Sequence, residues 1–337
     1  MGGNALRNAE TRRYEKQEYM DLCKEVSTKL DSLFPFIRHD VIKSYKNKES
    51  FGDMDIIIEA SNLPDTYVKL ILDEFHSKDH VKNGNVLSFE YKNFQIDLIG
   101  TKPSEYETSY NYFAYNDLGN LCGRLAHSIG LKLGHDGLSY NWRIETYQYT
   151  NVILSKSWKT ILHVLDLSYD KYEEGFDDLE DIFKFVMSSK FYNKEIFLLQ
   201  NRNNVSRTRD RKRKTYTQFL EYINPEKIDY PETLLHNKKD KSIYLPYLFD
   251  VIPGFKHAYD QISKDYEEEI LFKRVYNGDL VREWTGLTDK ELGWFMRWMK
   301  EKYADGYLKQ KVLSLNPEVL KPWVQYNLDF YLEEKFN

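Results

Sequence analysis

Asp53-Met54-Asp55-Ile56-Ile57-Ile58-Glu59, entered through Gly52, is the stretch on which the fold turns. Side chains of a strand alternate between its two faces. Met54, Ile56 and Ile58 therefore point one way, and Asp53 and Asp55 point the other. The apolar side can pack on a helix, which leaves two carboxylates presented together on the opposite side. Like charges held that close are costly unless a cation joins them. Hard divalent ions such as Mg²⁺ take oxygen ligands and commonly keep phosphate and water ligands as well. The plainer alternative is a pair of solvated strand-edge charges, because Asp-x-Asp is a short pattern.

Working outward, Phe94-Gln95-Ile96-Asp97-Leu98-Ile99 predicts a further strand, with Phe94, Ile96 and Leu98 buried and Asp97 on the other face. Placed beside the first strand, Asp97 reaches the same ions. Three carboxylates on adjacent strands suit a two-metal clamp on attacking and leaving oxygens, with ions ~3.5–4 Å apart. Mg²⁺ and Mn²⁺ both accept such ligands. Between the two strands, Asn62-Leu63-Pro64-Asp65 starts a helix with Tyr67, Leu70, Ile71 and Phe75 on one face. Asn83-Gly84 suits a two-residue turn with positive φ, Val86, Phe89 and Tyr91 continue the alternation, and Lys92-Asn93 marks a second tight turn. Residues 8–33 predict a helix in which Tyr19, Met20, Cys23, Val26 and Leu30 recur at three- and four-residue steps, ended by Phe34-Pro35-Phe36. Just before the first strand, the run from Lys43 through Ser44, Lys46 and Lys48 to Gly52 offers a hydroxyl, amides and lysines that could grip a triphosphate. Gly52 lets the chain turn tightly into the strand. Together these elements make a small α+β domain.

The totals agree with a folded, multidomain chain. It has 337 residues, 41% hydrophobic and 15% aromatic, which disordered chains do not reach. The formal charge of −5 gives no overall signal for nucleic acid, although a basic strip can still bind phosphates. The two cysteines, Cys23 and Cys122, make no zinc-ligand spacing. No apolar run approaches the ~20 residues that span a bilayer, and the polar start has no signal-peptide core. The expectation is a soluble, cytoplasmic protein with no membrane partner.

From about residue 109 the strand pattern fades. Residues 116–130 and 158–200 carry helical spacing, and 246–337 reads as helices broken by Pro253, Gly278, Pro317 and Pro322. The segment Asn201–Lys214 is the strongest compositional shift and reads as a loop or domain joint. Its Arg202, Arg207, Arg209, Arg211, Lys212, Arg213 and Lys214 form a basic strip, read either as a nucleic-acid backbone contact or as a solvated charge run. Trp294, Phe295 and Trp298 read as core, and His76, His80, His127 and His135 as ordinary polar or core residues.

Ser44, Lys46, Gly52, Asp53, Asp55 and Asp97 resemble the pattern of the nucleotidyltransferase superfamily of DNA polymerase beta, the family X polymerases. Lys43 stands where that family has a glycine, and the loop is one residue shorter. Tyr112-Phe113-Ala114-Tyr115-Asn116-Asp117-Leu118-Gly119-Asn120, followed by Arg124, resembles the family segment after the third aspartate, with Ala114-Tyr115 replacing Thr-Gly. The resemblance covers roughly residues 36–140. It implies a polymerase-beta-type palm, with a small mixed sheet and helices, followed by a mainly helical carboxy-terminal region. It implies Asp53, Asp55 and Asp97 as catalytic ligands of two Mg²⁺ or Mn²⁺ ions, and Ser44 and Lys46 on the β/γ-phosphates. Tyr112 and Phe113 would pack on the incoming sugar, Asp117 near the base, Asn120 toward its minor-groove edge, and Arg124 on the templating side. Asp117, Asn120 and Arg124 also share one helix face by spacing alone.

The expected domains are an amino-terminal helix to 35, a palm over 36–108, a nucleotide-binding, thumb-like segment over 109–150, a helical domain with the basic strip over 151–260, and a carboxy-terminal helical domain over 261–337. The expected activity is transfer of a nucleoside monophosphate from a (d)NTP to the 3′-hydroxyl of a DNA primer–template or another nucleic-acid 3′ end. Residues 277–293, with Gly278, Leu280, Gly286 and Gly293, resemble the carboxy-terminal helices of CCA-adding tRNA nucleotidyltransferases, which keeps RNA-end addition as an alternative. A non-catalytic nucleic-acid-binding protein of this fold is the third reading. The aromatic, lysine-rich and asparagine-rich style is similar to phage nucleotidyltransferases, which would place the protein in a host cytoplasm.

Overall fold

Asp53–Glu59 is a strand with the bounds its alternation predicts, and it lies inside a five-stranded mixed sheet. The computed structural model describes residues 5–144, 147–224 and 240–336. The chain divides into two compact units, Met1–Pro253 and Gly254–Asn337.

In chain order, the first unit opens with β1 (Tyr14–Glu15), α1 (Lys16–Leu33), β2 (His39–Val41), β3 (Ser50–Phe51) and β4 (Asp53–Glu59). It continues with α2 (Tyr67–Phe75), β5 (His80–Asn83), β6 (Val86–Tyr91) and β7 (Phe94–Thr101). The main sheet has the order β2-β4-β7-β6-β5. β4 and β7 run parallel, while β2–β4, β6–β7 and β5–β6 are antiparallel. One face carries Met54, Ile56, Ile58, Leu87, Phe89, Phe94, Ile96 and Leu98, all buried against Tyr19, Leu22, Val26 and Leu30 of α1 and Ile71 and Phe75 of α2. Sealing that apolar face from water is what holds the helices on the sheet.

Turn chemistry sets the registers. Lys92 and Asn93 both have positive φ, at 53° and 58°, and join Tyr91 to its partner Phe94. The other hairpin lies one residue beyond its predicted place. Asn83 pairs with Val86, so the two turn residues are Gly84 and Asn85, with Gly84 at φ 59°. A glycine at the first central position satisfies a tight hairpin as well as Asn-Gly does.

The amino-terminal helix starts at Lys16 and not at residue 8. The backbone ahead of it is drawn elsewhere: Arg7 and Asn8 N–H donate to Asp79 Oδ2 at 3.0 and 2.8 Å, and Arg12 N–H donates to Asn93 O at 2.9 Å. Met20 and Leu70, placed on buried faces by periodicity, are 47% and 38% exposed.

The strand pattern does not end near residue 109. After α3 (Tyr106–Phe113) and α4 (Leu118–Ser128), β8 (Leu131–Gly134), β9 (Gly137–Ile144) and β10 (Tyr147–Ser155) form a second, antiparallel sheet. Helices α5 (Trp158–Val164), α6 (Tyr169–Glu174), α7 (Leu179–Met187), α8 (Asn204–Asp210) and α9 (Lys214–Ile223) follow. The basic strip is thus partly helical: Arg207 and Arg209 lie in α8 and Lys214 opens α9, while Arg211, Lys212 and Arg213 stand between the two helices. Asn203 caps α8 by accepting from Ser206 N–H at 2.9 Å.

The second unit is helical, with segments 255–275, 278–285, 289–302, 307–314 and 317–336. Phe295 and Met299 are wholly buried in its core, whereas Trp294 is 49% exposed. Helix 278–285 begins at Gly278 behind an Asn277 cap and ends at Gly286, φ 70°. Pro317 opens the last helix, and Pro322 sits inside it without ending it. No helix among the described residues is long and apolar enough to cross a membrane.

Candidate active site

Each strand of the main sheet has a second face, and the carboxylates stand on it. In the parallel register Asp55 is opposite Asp97 and Asp53 opposite Gln95, while β6 sets Ser88 beside Asp97. Farther along the same face Ile57, Ile99 and Tyr106 pack together, with Tyr110 and Phe113 of α3 against them. Helix α3 therefore covers one half of this face, and the acidic half lies beyond it.

One oxygen from each of Asp53, Asp55 and Asp97 lies within 4.8 Å of the others, a group that could hold a metal ion. All the donors are carboxylate oxygens, which favours a hard cation. Burial, with Asp53 and Asp97 beside it, pushes the Asp55 carboxyl up to about 8, and Lys48 acts in the opposite direction. Burial also raises Asp97, opposed by a hydrogen bond from Ser88, raised further by Asp53 and lowered by Gln95. A site that raises its own carboxylates toward the neutral form lacks positive charge, which a divalent ion supplies.

Three further residues serve this cluster: Lys48, which stands in the run expected to grip a triphosphate, and Gln95 and Ser88, for which the sequence carried no expectation. Lys48 lies near Asp53 and Asp55, and burial lowers its pKa against their pull. Its Nζ sits 4.6 Å over the Phe51 ring. Gln95 Nε2 donates to both oxygens of Asp97 at 2.9 Å, and Ser88 holds the same carboxylate. The signal available was the period of two: Gln95 shares the face of Asp97, yet it sits at 2% exposure in what reads as an apolar strand.

The loop before β3 is fixed at several points. Ile42 N–H donates to Asp55 O at 2.9 Å, Lys46 N–H to Phe176 O at 2.9 Å and Asn47 N–H to Asp177 O at 2.8 Å. Lys46 Nζ meets Asp177 Oδ1 at 2.9 Å, and Lys16 Nζ donates to Lys46 O at 2.8 Å. Ser44 is half-buried in this loop, and Gly52 is the bend between β3 and β4. Tyr115 N–H donates to Lys43 O at 2.8 Å, which ties the loop to the turn between α3 and α4.

That turn is left-handed without a glycine: Tyr115 has φ 54° and Asn116 φ 62°. Such a conformation costs a bulky residue roughly 1–3 kcal/mol. Tyr115 is held in it by burial, with edge contacts to Tyr172 at 5.5 Å and Phe176 at 4.8 Å. Tyr112 and Phe113 end α3 with ring centroids 5.5 Å apart.

Asp117 precedes α4, and Asn120 and Arg124 lie within it. Arg213 pairs with Asp117, and Arg209 Nη2 donates to Asn120 Oδ1 at 3.1 Å. Arg124 donates through Nε and Nη2 to Ile196 O at 3.1 and 2.7 Å, so it ties α4 to a neighbouring 3₁₀ turn. The basic strip therefore has two kinds of member. Arg202 is buried and paired with Asp210 at 2.8 Å, Arg207 donates to Arg202 O at 3.0 Å, and Arg209 and Arg213 reach α4. Arg211, Lys212 and Lys214 are exposed.

No protein-family model matches the sequence, and no curated protein is significantly similar to it.

Proposed function

We propose that the protein is a metal-dependent nucleotidyltransferase of the polymerase-beta type, with the main sheet as its palm. The observation that carries this reading is the register of Asp55 opposite Asp97 in parallel strands, with Asp53 two residues before Asp55 and all three carboxylates in mutual reach. The loop of Ser44 and Lys46 is tied through Lys43 to the turn that leads from Tyr112 and Phe113 to Asp117 and Asn120. A phosphate-gripping loop, an acidic centre and a nucleotide-facing helix in one connected region are what the transfer needs.

In the proposed reaction the 3′-oxygen of a nucleic-acid end bonds to the α-phosphorus of a (d)NTP. The bond from that phosphorus to the α,β-bridging oxygen breaks, and pyrophosphate leaves. Asp53 and Asp55 would hold two Mg²⁺ or Mn²⁺ ions, with Asp97 completing the set beside the attacking oxygen. Bound ions would stabilise the charge on attacking and leaving oxygens. Asp97 accepts the 3′-hydroxyl proton, Ser44 and Lys46 bind the terminal phosphates, and Tyr112 and Phe113 pack on the sugar. The exposed pairing of Lys46 with Asp177 is weak enough to exchange for a phosphate.

Primer extension tests the reading. A labelled strand, alone or annealed to a template, is offered single dNTPs or NTPs with Mg²⁺ or Mn²⁺, beside an Asp53→Ala, Asp55→Ala double variant. Addition that vanishes in the variant is expected. Addition of ribonucleotides alone would move the substrate to RNA ends, and no addition to any acceptor would overturn the reading.

A further inference from the structure

The non-helical stretch ahead of α1 touches the entry ends of both strands that carry the carboxylates. Tyr14–Glu15 pairs with Ser50–Phe51 just before Gly52 and Asp53, and Arg13 donates to the hydroxyl and carbonyl of Ser50 at 2.9 and 2.8 Å. On the β7 side, Arg12 N–H donates to Asn93 O at 2.9 Å, and Ala5 N–H donates to Gln95 Oε1, also at 2.9 Å. Gln95 is 2% exposed, and its Nε2 donates to both oxygens of Asp97. A main-chain N–H can only donate, and a carboxylate can only accept. The Gln95 amide is therefore oriented from both ends, and the Asp97 carboxylate is oriented through it.

We propose that Gln95 is a positioning residue for the metal centre, set by the main chain at Ala5, so that the strap Ala5–Glu15 aims Asp97 at an ion shared with Asp53 and Asp55. The proposal rests on the metal-site reading of the three carboxylates. An amide that served packing alone would gain nothing from meeting both oxygens of one carboxylate. At a buried position an apolar side chain would fill the same space without a polar group to satisfy. Partners that orient a metal ligand are worth about 10- to 100-fold in ion affinity.

The experiment is a Mn²⁺ titration of the full chain, followed by loss of the free-ion EPR signal, with circular dichroism as the check of folding. The variants are Gln95→Met, which keeps length without a donor, Ala5→Pro, which removes the N–H and fixes φ there, and their combination. Gln95→Met is expected to weaken binding at the Asp97 ion by about 10- to 100-fold. Ala5→Pro should weaken it less, and the double variant should match Gln95→Met, because both act through one contact. If Gln95→Met does not fold, Ala5→Pro alone decides. Variants that fold and bind Mn²⁺ with wild-type affinity overturn the strap and leave the metal site standing. A wild-type chain that binds neither Mn²⁺ nor Mg²⁺ overturns the metal site, and the strap with it.

Discussion

Arg209 and Asn120 are joined by a hydrogen bond of 3.1 Å from Nη2 to Oδ1, and that contact places part of the basic strip on the helix carrying the candidate nucleotide-binding residues. Guanidinium groups only donate, so the amide presents its carbonyl to Arg209, and Asn120 Nδ2 is left buried without a partner. Arg209 is itself held by Asp210 at 3.1 Å, and Asp210 by the buried Arg202. Arg213 neutralises Asp117 on the same side.

Two arginines of the strip should therefore act on the nucleotide, and the exposed members on the nucleic acid. Arg213→Ala leaves the Asp117 charge unopposed, which would repel the proposed polyanionic nucleotide. The nucleotide KM should rise by about tenfold, the effect of ~1.4 kcal/mol, with kcat changed less. Arg211→Ala and Lys212→Ala should leave that KM alone, weaken binding of the nucleic acid and flatten its dependence on salt. Steady-state kinetics and a salt series of binding isotherms separate the two groups. Equal effects of all three variants on both measurements would contradict the division.

In the proposed metal site, Asp55 makes ion binding dependent on pH. Its carboxyl stands at about 8 in the fold, against the ordinary value of ~3.9 in an unfolded chain. The folded state thus holds this proton more tightly than the unfolded state does. Its contribution to stability falls as pH rises from about 4 to about 8. A divalent ion at the proposed site would replace the proton and reverse the loss. In EDTA the Tm should decline over that window, and millimolar Mg²⁺ should raise it more at pH 8.5 than at pH 5. The same ion-induced shift at both values would remove Asp55 from the ion's ligands.

The complementary substitution separates stability from function. Asp55→Asn keeps the shape and deletes one of three crowded charges. In EDTA above pH 8 the variant should be more stable than wild type, by roughly 1–2 kcal/mol. Its transfer activity should fall by roughly 10²–10³ or more, since charge stabilisation at the reacting oxygens is lost. Thermal melts and single-turnover extension measure the two effects. A variant less stable than wild type in EDTA would mean that the carboxylates are not in conflict.

Much of the acidic centre was legible because it is local. The alternation around Asp53 and Asp55 gave both strand bounds and facing, and that around Asp97 gave its strand and side. What escaped depends on partners distant in sequence. Nothing near Arg7 shows that Asp79 will take its N–H and keep residues 5–13 out of a helix. The second sheet hid because Asn151, directly after Thr150, breaks the alternation that Tyr147-Gln148-Tyr149-Thr150 begins, and shifts in the pairing of β10 break the period. The strip at 201–214 looked like a loop because its charges dominate the composition. Its order comes from Asp210, a wholly buried carboxylate surrounded by arginines.

Gly119 and Gly123 stand in the same helix, and only one of them can be replaced. A Cβ on Gly119 would lie 2.1 Å from Tyr112 O and 2.8 Å from Tyr112 Cδ2, against backbone that cannot move aside without shifting α3. A Cβ on Gly123 would meet Leu133 O at 3.6 Å, an ordinary contact. Gly119→Ala should therefore destabilise the fold by about 1–3 kcal/mol or more, the cost of overpacking. Because the displaced residue is Tyr112, the nucleotide KM should rise in whatever fraction remains folded. Gly123→Ala should be neutral or stabilising, since alanine is favoured over glycine in a helix interior by roughly 1 kcal/mol. Urea denaturation of both variants, with nucleotide kinetics on the folded protein, tests the pair. If Gly119→Ala were as stable as Gly123→Ala, α3 and α4 could separate freely, and the fixed seat of Tyr112 beside Asp117 and Asn120 would be lost as a basis for nucleotide recognition.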